Sequence, residues 1–127
     1  MVEDKPKFLL LEKVKALYTL LHPVLKQFPK SVRFTLRSRI EDGVLDTITC
    51  LVRQNYCRSV CNRRDLLVEA LASINLVEVL LQQALTFKYL PYKHYENARG
   101  LLGEVEAMMG ARIRNLNAGG GGEDENL

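Results

Sequence analysis

The sequence predicts an all-α fold, an antiparallel up-down-up-down bundle of four helices. Three observations carry this. Apolar residues recur at steps of three and four through four long stretches. Leu, Glu, Lys, Arg and Ala dominate the composition, and no short alternating runs mark strands. Prolines or aperiodic segments separate the stretches, whose matched lengths and short connections suit a bundle. A three-helix bundle with a docked arm is the competing arrangement.

The first helix is expected over about Lys5 to Phe28. Leu11, Val14, Tyr18, Leu21, Leu25 and Phe28 form one stripe, and Leu10, Leu17 and Val24 a second beside it. So wide an apolar arc predicts contact with another subunit as well as with the core. Pro23 should kink the last turn, because it donates no backbone hydrogen bond. Pro29 should close this helix and open the next.

The second helix is expected over Lys30 to Tyr56, buried along Leu36, Ile40, Val44, Ile48 and Leu51. Gly43 should weaken it by roughly 1 kcal/mol relative to Ala. The aperiodic run Asn55 to Asp65 holds the next connection, with Asn62 as a cap for the third helix. That helix, about Arg63 to Tyr89, carries the stripe Leu67, Ala70, Ile74, Val77, Leu81, Ala84. The fourth runs from Pro91 to about Asn117, lined by Tyr95, Ala98, Leu102, Val105, Met109 and Leu116. Gly100, Gly103 and Gly110 inside it suggest close helix approach. Residues 1–117 are thus assigned to the bundle. Residues 118–127, "AGGGGEDENL", are assigned to a disordered Gly-rich acidic tail.

Charge is unevenly spread. The net formal charge is +3, yet residues 26–64 hold nine Lys or Arg against three acids, and residues 65–111 three against six. A one-sided cationic surface points to a polyanion. Lys30, Arg33 and Arg37 fall at i, i+3 and i+7, one face of the expected second helix. Arg53, Arg58, Arg63 and Arg64 surround the second connection, and Arg112 and Arg114 close the last helix. These nine are the candidate nucleic-acid contacts, led by phosphate and weak in sequence preference. Set against this, Arg37 has Glu41, and Arg39 has Asp42, within reach of a local ion pair. For Arg39 the local pair is the expectation. Arg112 and Arg114 also complement a helix dipole.

No catalytic, metal or cofactor constellation emerges. His22 precedes Pro23 at the expected kink and His94 lies between Lys93 and Tyr95 near a helix start, positions that read as surface or boundary residues rather than acids or bases. Cys50, Cys57 and Cys61 give C-x6-C-x3-C, which is no zinc spacing, and read as small hydrophobes. Their odd number, with no secretory signal before them, suggests a reducing, cytoplasmic setting. No run approaches the roughly 18 apolar residues of a membrane span.

The blocks "LYTLLHPVLKQFPKSVRFTL" and "LLGEVEAMMGARIRNLN" resemble the four-helix accessory variability (Avd) proteins of diversity-generating retroelements. These are related to bundle proteins of 23S ribosomal RNA intervening sequences. The resemblance extends from about Leu11 to Asn117, carried by His22-Pro23, Pro29-Lys30, Glu104 and Met109-Gly110 in order. It implies a ring-shaped homo-oligomer, a pentamer in the best-known members, that binds reverse transcriptase and nucleic acid and supports mutagenic retrohoming without catalysis. It also implies arginines on the third helix, where Glu78 and Gln82 stand instead. That departure moves the expected contacts to Lys30, Arg33, Arg37, Arg53, Arg58, Arg63 and Arg64. An intervening-sequence-type role with RNA, and a purely structural oligomeric module, are the other readings.

Overall fold

A computed structural model describes residues 5–120. Four helices account for most of them: α1 (Lys5–Leu25), α2 (Leu36–Asn55), α3 (Val60–Thr86) and α4 (Tyr92–Asn115). No strand occurs among the described residues. The helix α1 packs on α2 and α4, and α3 packs on the same two, so the helices follow one another around a common core. The expectation for residues 118–127 falls outside the described residues from 121 onward. Before that point, Leu116–Gly120 forms one π-helical turn.

Both apolar stripes of α1 pack into the core, Leu11 and Tyr18 only partly. Val14, Leu21 and Leu25 are buried, and so are Leu10, Leu17 and Val24. The reason is geometric: α1 touches two neighbours and needs two seams. This removes the argument that its second stripe must meet another subunit. Pro23 lies inside α1, which continues to Leu25 rather than to Phe28. Two turn bonds follow, Gln27 N to Val24 O and Phe28 N to Leu25 O, both 3.1 Å.

The second helix begins later than its sequence suggests. Pro29 caps a separate 3-10 turn, Lys30–Val32, and Thr35 departs from helical geometry with φ −120° and ψ −97°. Lys30 and Arg33 therefore precede α2, and only Arg37 belongs to it. The one-face spacing of Lys30, Arg33 and Arg37 on a single helix does not hold. The break lets Val32 and Leu36 both lean on the core while Phe34 stays in water.

Helix α3 starts earlier, at Val60, because Ser59 and not Asn62 is its cap. The Ser59 hydroxyl accepts from Asn62 N at 3.3 Å. All six residues of its expected stripe, Leu67 through Ala84, are fully buried. Its end is closed by Tyr89 N donating to Ala84 O at 2.9 Å, with Lys88 at φ 66°. That is the left-handed residue of a helix-stop motif.

The glycines divide differently from the sequence reading. A Cβ on Gly100 or Gly103 would meet open space, so neither marks close helix approach, and Gly110 faces only the Arg114 guanidinium at 3.4 Å. Gly43 is the close contact: a Cβ there would lie 2.6 Å from Val77 Cγ2. Beside it, the buried Thr47 hydroxyl donates to Gly43 O at 2.8 Å. Replacing Gly100 or Gly103 by Ala is expected to stabilise by about 0.5–1 kcal/mol each. Gly43→Ala is expected to destabilise by about 1–3 kcal/mol through overpacking. Combined with Val77→Ala it should cost less than the two single losses added. Urea unfolding of the five variants checks this.

Candidate nucleic-acid interface

The basic residues gather at two regions, one beside each end of α2. Near its C-terminus the chain turns through Tyr56 to Ser59 into α3. The Gln54 amide donates to Asn55 Oδ1 at 2.7 Å, a buried polar pair at the end of the helix. Arg53, Cys57, Asn62, Asp65 and Leu66 line a cavity of about 330 Å³. Arg63 is half-buried and donates from Nη2 to Cys57 O at 3.0 Å, which holds the connection against α3.

Helix α4 ends at this same region. Arg64 Nη1 reaches Asn117 Oδ1 at 3.5 Å. Burial and the neighbouring Arg63 guanidinium push Arg112 below the usual guanidinium range, a sign that cations crowd here. The structure thus brings Arg53, Arg63, Arg64 and Arg112 together, with Arg58 exposed in the connection and Arg114 exposed one turn above Asn117. The ion pair of Arg64 with Asp65 is long, 3.9 Å.

The second region lies at the other end of α2, a 20-residue helix about 30 Å long. Lys30 and Arg33 are exposed on the 3-10 segment, and Arg37 is half-buried in the first turn of α2. Arg39 is exposed here too, and its expected pairing with Asp42 does not form. Nor does Arg37 pair with Glu41, whose carboxylate instead accepts from the Tyr18 hydroxyl at 3.1 Å. Among the described residues, none of Lys30, Arg33, Arg37, Arg39, Arg53 and Arg58 is within ion-pair distance of a carboxylate. Periodicity alone assigned Arg39 to a local pair. Both Arg39 and Asp42 lie on α2 and are exposed, so their spacing alone does not decide whether they pair.

Glu78, standing where the resemblance implied an arginine, faces the seam between α3 and α4. Arg99 Nε lies 3.6 Å from its Oε2. Glu106 approaches from α4. Its Oε2 is buried and no donor reaches it. Desolvation, then the hydrogen bond and charge of Glu78, raise Glu106 to about 7, with Arg99 opposing. Glu104, on another face, pairs with Lys13 Nζ at 2.7 Å.

Among the described residues no three His, Cys, Asp or Glu side chains are grouped to hold a metal ion. No described helix is long and apolar enough to cross a membrane. Cys50 is buried, Cys57 half-buried and Cys61 exposed, all as free thiols.

A family model described as bAvd-like matches residues 8–116. No curated protein matches the chain significantly.

The carboxyl pair makes a pH prediction. A carboxyl with a raised folded-state pKa contributes stability at low pH, and that contribution fades as pH rises through about 7. Glu106→Gln is therefore expected to match or trail the wild-type Tm at pH 4.5 and to exceed it by a few degrees at pH 8. Thermal melts across that range read the slope, which should flatten in the variant.

Proposed function

The chain belongs to the bAvd-like family, and from that premise we propose that it is a non-enzymatic accessory protein of a diversity-generating retroelement. It binds reverse transcriptase and the template RNA or cDNA in the cytoplasm, and supports mutagenic retrohoming. The observation that carries the nucleic-acid part is the group Lys30, Arg33, Arg37, Arg39, Arg53 and Arg58 at the two ends of α2, none of which lies within ion-pair distance of a carboxylate among the described residues. Guanidinium groups without carboxylate partners stay open to bidentate phosphate contact. Lys30, Arg33, Arg37, Arg53, Arg58, Arg63, Arg64, Arg112 and Arg114 form the proposed contact set. Arg39 joins them.

The helices are proposed to run up, down, up, down. Two pairings support opposite senses for α3 and α4: Glu78 meets Arg99, while Arg64, earlier in α3, meets Asn117, just past the end of α4. Gly43 against Val77, and Cys50 against Glu69, support the same for α2 and α3.

Assembly into a ring of like subunits, a homopentamer, is the second part of the reading. It rests on the outer surface of α2 and α3 and not on α1. Leu45 and Val52 on α2, and Val68 and Val79 on α3, are apolar and exposed. So long an apolar stripe on a soluble helix pair calls for a covering surface.

Replacing Lys30, Arg33, Arg58 and Arg64 by Ala, all exposed positions, should leave the Tm unchanged and weaken nucleic-acid binding. The slope of log K against log salt should shrink by about 3. Equal affinity and slope in both proteins would overturn the assignment. Light scattering should give about five times the chain mass of 14.5 kDa. Val68→Lys with Val79→Lys should reduce it, and a wild-type mass of one chain would refute the ring.

A further inference from the structure

The end of the molecule where α2 begins combines cations with exposed aromatic rings. Residues 26–40 and 79–95 hold seven Lys or Arg and no Asp or Glu. Packing joins the two segments: the Phe28 and Tyr89 rings lie 5.9 Å apart, and Tyr89 and Phe87 5.6 Å apart. Between them runs a groove of about 520 Å³, lined by Val32, Leu36, Leu76 and Leu80 among others, with Phe34, Phe87 and Arg39 at its sides.

Phe34 is the anomaly in this groove. It is 80% exposed, the most exposed of the large apolar side chains described, and the irregular segment before α2 holds it out of the core. Phe87 is 55% exposed and Tyr92 62%. The Arg33 guanidinium lies over the Phe34 ring, 4.8 Å from its centroid. A ring carrying a cation, beside a groove with cationic margins, offers a base a stacking surface and its phosphate a donor at once.

We infer that this groove binds single-stranded nucleic acid by stacking unpaired bases on Phe34 and Phe87 while Lys30, Arg33, Arg37 and Arg39 hold the backbone. The inference rests on the nucleic-acid reading above and narrows it, because phosphate contacts alone do not separate single strands from duplex. Charge decides against an unrelated protein surface as occupant: an apolar groove alone would fit one, but Arg39 lines this one, and Lys30, Arg33 and Arg37 beside it have no carboxylate within ion-pair distance among the described residues, which fits a polyanion. Duplex bases are already stacked on one another and leave no ring for Phe34.

The test uses the full chain and fluorescence anisotropy with a labelled 12-nucleotide single strand and the duplex of the same sequence. Phe34→Ala should weaken single-strand binding about tenfold. It should leave duplex binding, the salt slope and the Tm as in wild type, and Phe34→Tyr should restore the affinity. Unchanged single-strand affinity in Phe34→Ala would overturn the stacking site while leaving the phosphate reading standing. So would a changed mass by light scattering, since the groove would then be a contact between copies. A wild-type chain that binds neither probe would overturn the nucleic-acid reading itself, and this inference with it.

Discussion

The structure depends on the close contact of α2 with α3 at Gly43 and Val77. A Cβ at position 43 would stand 2.6 Å from Val77 Cγ2, so only glycine lets these two helices approach this far. That approach sets where the rest of each helix lies. It buries Thr47 and Cys50 below the contact and brings the start of α2 against the end of α3. Helix α1 then has two neighbours to cover, and gives both of its apolar stripes to them. Little of the core is left to chance, and most of the cations remain on the outside.

Much of this was legible in the sequence. The α3 stripe, six residues at helical spacing, is fully buried residue for residue. The buried residues of α4 were all expected, and Leu116 packs partly against the core. Periodicity reports such faces well, since a helix must bury one side. Boundaries were less legible because local competitors decide them. Ser59 took the cap that Asn62 was expected to provide, and Pro29 opened a 3-10 turn in place of α2 itself. Glycine roles were inverted: Gly43 looked like a weakness and is a contact, while Gly100 and Gly103 looked like contacts and face open space. Spacing within one helix carries no information about the neighbour opposite.

The candidate surface was partly legible for the same reason. The excess of cations in residues 26–64 is a count and needs no fold. What the count hides is pairing. Arg39 has Asp42 close in sequence, yet it lines a groove instead. Glu106 lies against Glu78 across a seam, and burial with that neighbouring carboxyl raises its pKa. The aromatic content of the surface was hidden for a further reason. Phe34 and Phe87 lie far apart in the chain, and only the meeting of α2 with α3 sets them at one groove.

The central claim is that nucleic acid meets the two cationic ends of α2 and not the carboxyl-bearing seam of α3 with α4. Ultraviolet cross-linking of the chain to a single-stranded RNA, mapped by peptide mass spectrometry, addresses this most directly. The account predicts cross-linked peptides that contain Phe34 or span Arg58 to Arg64. Cross-links confined to the peptides bearing Glu78, Arg99 and Glu106 would contradict it.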